Sequence, residues 1–220
     1  MSKISVIIPT LNEVKNLSRV LEELPDYVDE IIVVDGYSKD RTVEIAKDHG
    51  AKVIFDEIGK GSALRKGMKK ATGDIVIMMD ADCSHVPSEI PLLVAGIESG
   101  FDVCMGSRFI QGGGSDDITP LRRIGNKFFV FLVNLIWGMN YSDLCYGYRS
   151  FRRDCIEKLE LESDGFGIET EISIKAAKNK LRVLEVPSYE KARRSGEGKL
   201  RTFRDGWIIL KRIAKEVFRG

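Results

Sequence analysis

Asp74-Ile-Val-Ile-Met-Met-Asp80-Ala-Asp82 is a continuous apolar run closed on its carboxyl side by two acids. Gly73 precedes it, and a short apolar run with such bounds reads as a strand buried on both faces. In an open α/β sheet the carboxyl ends of the strands are where ligands bind, and residues i and i+2 of extended chain point the same way. Asp80 and Asp82 are therefore expected to face one ligand. Two carboxylates held close repel unless a proton or cation lies between them. Hard oxygen ligands favour Mg²⁺ or Mn²⁺, which keeps waters and binds substrate phosphates as well. Read as an acidic turn, the same pair would only cap the next helix.

On the amino side of this run, residues 4–8 form a β-rich stretch closed by Pro9. Asn12-Glu13 then opens a helical pattern with Leu17, Val20, Leu21 and Leu24 on one face. Residues 30–34 repeat the strand signal, which Asp35-Gly36 breaks. A helix from Ser38 or Lys39 through Ala46 ends at Gly50, residues 51–55 give a third strand, and Gly59-Lys60-Gly61 leads into a helix to Ala71. Strands alternating with helices in this way predict a parallel sheet with right-handed crossovers.

On the carboxyl side, a helix over 87–100 and a strand over 101–105 continue the pattern. Gln111-Gly-Gly-Gly-Ser115-Asp-Asp117 then predicts a loop over the carboxyl edge, either a lid or a linker. Residues 120–139 read as a helix, with Arg123, Lys127 and Asn134 in one narrow stripe and an apolar remainder. A strand over 148–151, a helix over 168–178, a strand over 182–186 and a basic helix from 203 complete the chain.

The 220 residues suit one elaborated domain, and 30% charged against 43% hydrophobic residues is ordinary for a soluble globular protein. The net charge of +1 hides an asymmetry: residues 191–220 carry ten basic side chains against Glu197, Asp205 and Glu216, so an anionic partner is expected at the carboxyl end. Nucleic acid is disfavoured, because the cluster is short and poor in interleaved aromatics. Cys83, Cys104, Cys145 and Cys155 form neither a zinc nor a redox motif, so reduced thiols and a cytoplasmic location are expected. No signal-peptide pattern opens the sequence, and no apolar run reaches the roughly 20 residues of a membrane crossing.

Pro9-Thr-Leu-Asn-Glu13, Val34-Asp35-Gly36 with Ser38 and Asp40, Gly59-Lys60-Gly61 and Asp80-Ala-Asp82 together resemble, in order and spacing, the family 2 glycosyltransferases of GT-A fold. Gly106-Ser-Arg108, Ser142-Asp143 with Gly147-Tyr-Arg149, and Ser195-Gly-Glu-Gly-Lys199-Leu200 are similar to the dolichyl-phosphate mannose synthase branch. Two positions depart from that branch: Ser84 stands where some members carry Gln, and Gly198 stands where Ser is usual.

The resemblance implies an α/β, Rossmann-like, mostly parallel sheet flanked by helices, with amphipathic helices at the carboxyl end. One catalytic domain, 1–220, would divide into a nucleotide-sugar half, 1–106, and an acceptor half, 107–220. Pro9, Leu11, Glu13, Asp35, Lys60, Asp80 and Arg108 would bind a nucleotide diphosphate sugar, and Asp80 and Asp82 would hold Mg²⁺ or Mn²⁺. Asp82, Arg108 and Asp143 would serve catalysis. Arg123, Arg193, Arg194 and Lys199 would hold the phosphate of a polyprenyl or dolichyl acceptor at the cytoplasmic membrane face, with inversion at the sugar carbon.

Physical chemistry gives each position a reason and an alternative. Glu13 or Asp35 can accept donors from a nucleobase or ribose, or Glu13 can simply favour a helix amino end. Lys60 between glycines can reach an anion, but Gly59 to Arg65 lacks the Lys-Ser/Thr pair of a nucleotide-hydrolase phosphate loop. Asp143 and Arg149 are expected to pair and order the site. Glu169 and Glu171 match acidic positions of the branch. The apolar faces of 120–139 and of the last helix suit either interfacial docking or a core or dimer contact. A hydroxyl acceptor, with Asp143, Asp116 or Asp117 as base, is the alternative reaction; a non-catalytic nucleotide-sugar module and a nucleotidyltransferase are alternatives of another class.

Overall fold

Strand β4 (Ile75–Met78) lies in the middle of a seven-stranded sheet, and each of its side chains is buried, as an unbroken apolar run between two helical layers requires. The structure, a computed structural model, describes residues 2–195 and 202–219. On one side of β4 come β1 (Ile4–Thr10), β2 (Glu30–Asp35) and β3 (Lys52–Phe55), all parallel, with Ile4 paired to Ile75 and Thr10 to Asp35. Helices α1 (Leu17–Glu22), α2 (Thr42–Asp48) and α3 (Lys60–Lys70) supply the crossovers, as the alternation predicts.

On the other side the order is β7 (Arg149–Arg152), which runs directly into the one-turn helix α6 (Arg153–Ile156), then β5 (Val103–Ser107) and β8 (Val183–Pro187). β7 runs antiparallel to both of its neighbours, and α4 (Ile90–Glu98) joins β4 to β5 across it. A four-residue strand carries no mark of its direction in the pattern of its side chains, so this reversal is a fact of topology alone. One sheet thus runs through both halves of the sequence.

Alternate residues of β1 separate two cores. Ile7 faces α3, α7 (Ile168–Lys178) and α8 (Thr202–Phe218) with Val34, Leu64 and Val76, while Val6 and Ile8 face the α1, α2 and α4 layer with Leu17, Val33 and Ile77. Each fully buried aliphatic side chain contributes about 1.5–3 kcal/mol.

The first turn of α3 is set against loop 163–165. Gly61 N–H donates to Asp164 O at 2.9 Å, and a Cβ on Gly61 would stand 2.3 Å from Ser163 O. Backbone cannot yield there as a side chain can. Gly61→Ala is expected to cost about 1–3 kcal/mol, read as a fall in thermal midpoint; an unchanged midpoint would show that the two segments do not touch as described.

The Gly-rich segment is neither a free lid nor a linker. Gly114–Ser115 forms β6, which pairs in parallel with β9 (Tyr189–Glu190), and a Cβ on Gly113 would lie 2.3 Å from Ser107 O. Close backbone approach explains the glycines better than mobility does. Helix α5 (Pro120–Trp137) is capped by Thr119 and ends at Gly138 with φ +65°. Its Asn126, Phe129 and Val133 are buried, whereas Ile124, Phe131 and Leu135 are 61–69% exposed. α8 packs on α5 and α7 through Ile209 and Ile213, leaving Phe203 and Trp207 83% and 59% exposed. Among the described residues no helix is long and apolar enough to cross a membrane.

Candidate active site

The carboxyl ends of β1, β2 and β4 open into a cleft of about 950 Å³ whose far wall is built by α5 and α8. Its floor is polar and its wall is apolar, lined by Leu121, Ile124, Phe128, Phe203 and Trp207.

The floor holds three cations, each bridging two carboxylates. Lys60, first residue of α3, places Nζ 2.8 Å from Asp80 Oδ1 and 3.0 Å from Glu169 Oε1. Burial disfavours its charge, but Asp80 and Glu169 outweigh burial and raise its pKa. For Asp80 burial acts upward, while Lys60 and then His85 hold the carboxyl below its ordinary value. Gly147 has no side chain where these groups converge; a Cβ there would lie 3.4 Å from Lys60 Nζ and 3.5 Å from Glu169 Oε1.

Arg108, beyond the end of β5, donates from Nε and Nη2 to Asp143 at 2.7 and 2.9 Å and from Nη1 to Glu190 at 3.0 Å. Its guanidinium also lies 4.9 Å from the centroid of the Tyr146 ring. Asp143 is buried and accepts in addition from Cys145 N–H, so it orders Arg108 and lies outside the cleft lining.

The expected Asp143–Arg149 pair does not form. Arg149 is 1% exposed and donates instead to the carbonyls of Leu144, Tyr146 and Glu169 and to Ser173 Oγ. It fastens the 144–146 loop to the first turn of α7.

Arg193 bridges Asp82 Oδ2 at 2.6 Å and Glu13 Oε1 at 3.4 Å. Asp82 is only 8% exposed, and its Oδ1 accepts from Ser84 N–H and Oγ, so Ser84 orients the carboxylate. Glu13 also accepts from Asn16 Nδ2 at 2.7 Å. Beside the acidic pair, His85 stacks on Tyr148 at 4.7 Å and meets Tyr146 edge-on. Its Nδ1 accepts Asp80 N–H at 3.0 Å, and burial lowers its pKa, so the neutral ring carries its proton on Nε2.

Pro9, Leu11, Glu13, Lys60, Asp80, Asp82, Arg108 and Arg193 line the cleft together. Other expected site residues do not. Asp35 is wholly buried, its carboxylate accepting from Thr10 Oγ1, Ser38 Oγ and Ser38 N–H, so it shapes the β2 loop. Arg123 lies over the Phe109 ring outside the lining, and its neighbour Arg122 faces the cleft, because one residue along a helix turns the side chain by about 100°. Arg194 is exposed and lies outside the lining, while its N–H donates to Asp82 O. Lys199 lies outside the described residues.

His85, Asn126, Glu190 and Arg122 also line the cleft without having been singled out. Only the nearness of His85 to Asp82 in sequence could have pointed to it. The others arrive through tertiary structure.

The three bridged groups hold six carboxylates, Glu13, Asp80, Asp82, Asp143, Glu169 and Glu190, against Lys60, Arg108 and Arg193. That excess of negative charge suits a divalent cation. No cluster of three or more His, Cys, Asp or Glu that could hold a metal ion occurs among the described residues. A Mg²⁺-type ion is commonly bound by one or two carboxylates with substrate phosphates completing its shell, so the Asp80–Asp82 donor set fits.

A largely parallel sheet with an acidic pair at the carboxyl end of its central strand, and a cleft roofed by carboxyl-terminal helices, defines a GT-A glycosyltransferase fold. The family model for glycosyl transferase family 2 matches residues 5–160, and the chain belongs to that family. It is 36% identical over 211 residues to the dolichol-phosphate mannosyltransferase of Pyrococcus furiosus, covering 90% of this chain but 59% of that protein. It is 32% identical over 216 residues to the dolichyl-phosphate hexose transferase of Haloferax volcanii, covering 96% of this chain and 92% of that one. Among solved structures, glucosyl-3-phosphoglycerate synthase of Mycobacterium tuberculosis, in complex with Mn²⁺, uridine diphosphate and glucosyl-3-phosphoglycerate, superposes with a TM-score of 0.76 at 21% identity, over 98% of this chain and 80% of that one.

Proposed function

We propose that the chain transfers a hexose from a nucleotide diphosphate sugar to a polyprenyl or dolichyl phosphate, with inversion, at the cytoplasmic face of a membrane. The observation that carries this reading is the continuity of one cleft from a charged floor at Asp80 and Asp82 to an apolar wall of Leu121, Ile124, Phe128, Phe203 and Trp207. An acceptor with a phosphate head and a hydrocarbon tail matches both surfaces at once. A wholly water-soluble acceptor would leave the apolar wall without a partner.

In this reading residues 1–106 bind the nucleotide sugar and 107–220 the acceptor. A divalent ion on Asp80 and Asp82, when bound, offsets the charge that grows on the departing nucleoside diphosphate. Lys60 holds Asp80 ionised and in place. Glu13 and the backbone of Pro9 and Leu11 meet the nucleoside. Arg108 is immobilised by Asp143 and Glu190, so it offers a fixed positive edge at the junction of floor and wall without reorganising. Arg122 replaces Arg123 as the α5 cation facing the acceptor phosphate. A phosphate monoester has its second pKa near 6 and is already anionic near neutral pH, so the chain must place the attacking oxygen rather than deprotonate it.

The test is release of nucleoside diphosphate from a panel of nucleotide sugars in Mn²⁺, with and without polyprenyl phosphate. Release that depends on the lipid phosphate is expected; release indifferent to it contradicts the acceptor assignment. The exposed Phe131, Leu135, Phe203 and Trp207, with the Lys211 ammonium over the Trp207 ring, further favour peripheral docking. Co-sedimentation with anionic vesicles is expected at low salt and release at high salt, because surface charges are screened within about 10 Å at 0.1 M.

A further inference from the structure

Residues 191–195 cross the acidic pair as a strap. Lys191 N–H donates to Ser84 O at 2.9 Å, Arg194 N–H to Asp82 O at 3.4 Å, and Asn16 Nδ2 to Ser195 O at 3.2 Å. These tethers aim Arg193 at Asp82 and Glu13, both on the nucleotide-sugar side of the cleft. A guanidinium so placed is turned away from an acceptor phosphate, and it covers Asp82 Oδ2, the carboxylate oxygen that Ser84 leaves open.

We propose that Arg193 is an exchangeable counter-ion of the nucleotide-sugar subsite: it neutralises Asp82 and Glu13 until a divalent cation with its diphosphate displaces it, and only then becomes available to the acceptor phosphate. The inference rests on the metal role given above to Asp82. It makes nucleotide-sugar binding the event that prepares the acceptor site, and so imposes an order on the two substrates. The energetics permit the exchange. The Arg193 and Asp82 side chains are 23% and 11% exposed, so the pair is partly solvated, and the three tethers are single hydrogen bonds of about 0.5–1.5 kcal/mol each. A dication bound to a diphosphate carries the larger charge into the same carboxylates.

Mn²⁺ titration of the protein without any sugar, followed by the electron paramagnetic resonance of the free ion, reads the competition directly. Arg193→Gln is expected to bind Mn²⁺ about tenfold more tightly than the wild type, and Arg193→Lys within about threefold of it, since the cation is retained. Lys191→Gln removes the same charge from the same strap and should change the affinity by no more than about twofold, because the exposed Lys191 makes no ion pair with Asp82 or Glu13 and its charge is screened by solvent. Equal or weaker binding by Arg193→Gln, or an equal gain in Lys191→Gln, would overturn the counter-ion role and leave the metal assignment standing. Absence of Mn²⁺ binding in every variant, with a nucleoside diphosphate present, would overturn both.

Discussion

Asp82→Asn should reduce metal-dependent transfer by about a hundredfold or more, the scale lost when a group that stabilises developing charge is removed. The variant should nevertheless fold. Asn keeps an oxygen for the Ser84 N–H and Oγ donors that orient the side chain, and only the Arg193 pair at Oδ2 is lost. Arg193 keeps Glu13 as a partner, so no buried charge is left unpaired and the loss should stay below the roughly 3–5 kcal/mol of a broken buried pair. Turnover across a Mn²⁺ series, set beside a thermal melt, separates the two effects. Full turnover of the wild type in excess chelator would remove the metal from the account.

Arg149→Ala should be the most damaging change to stability. Its guanidinium is fully buried and makes no salt bridge among the described residues, and burial lowers its pKa although Glu169 and Asp143 act in the other direction. Truncation leaves three carbonyls and Ser173 Oγ without that donor and opens a cavity between β7 and α7. Buried acceptors left unpaired cost about 1–3 kcal/mol apiece in the worst case, so a total loss of roughly 3–5 kcal/mol is expected in urea denaturation. Loss of less than about 1 kcal/mol would show that these hydrogen bonds are easily replaced. Because the same bonds fix the carbonyl of Glu169, the partner of Lys60, any variant that does fold should also bind nucleotide sugar poorly.

The elements legible in the sequence were those with strong periodicity. The run before Asp80, the third crossover helix and the 168–178 helix carry their burial in their own spacing, and the structure places them within a residue or two, whereas α1 and α2 begin three or more residues later than Asn12-Glu13 and Ser38 or Lys39. What the spacing does not contain is partnership. Nothing near Arg149 in sequence says that carbonyls will hold it, so pairing it with Asp143 was reasonable by charge and wrong in space. Arg108 takes Asp143 because β5 ends beside the 142–145 turn, and Glu190 joins them only because β9 pairs with β6. The glycines of 112–114 read as looseness, whereas Ser107 O and the Tyr189 ring leave no room for a Cβ at Gly113 and Gly114, and Gly112 holds φ +88°. Arg123 and Arg122 differ by one residue, less than a helical stripe can resolve from sequence. Asp80 and Asp82, which interrupt an apolar strand, both line the cleft. Asp35, which does the same, turns inward to Thr10 and Ser38, and only the local turn distinguishes the two cases.

Transfer of labelled hexose into the organic phase tests the central claim most directly, with matched acceptors: a polyprenyl phosphate, the same polyprenol without its phosphate, and phosphoglyceric acid, the soluble acceptor type suggested by the structural neighbour. The account predicts label in the organic phase with the polyprenyl phosphate alone, and a rate that rises with the second ionisation of the phosphate near pH 6 and then stays level. Labelling of the bare polyprenol, or of phosphoglyceric acid in preference to the lipid phosphate, would contradict it.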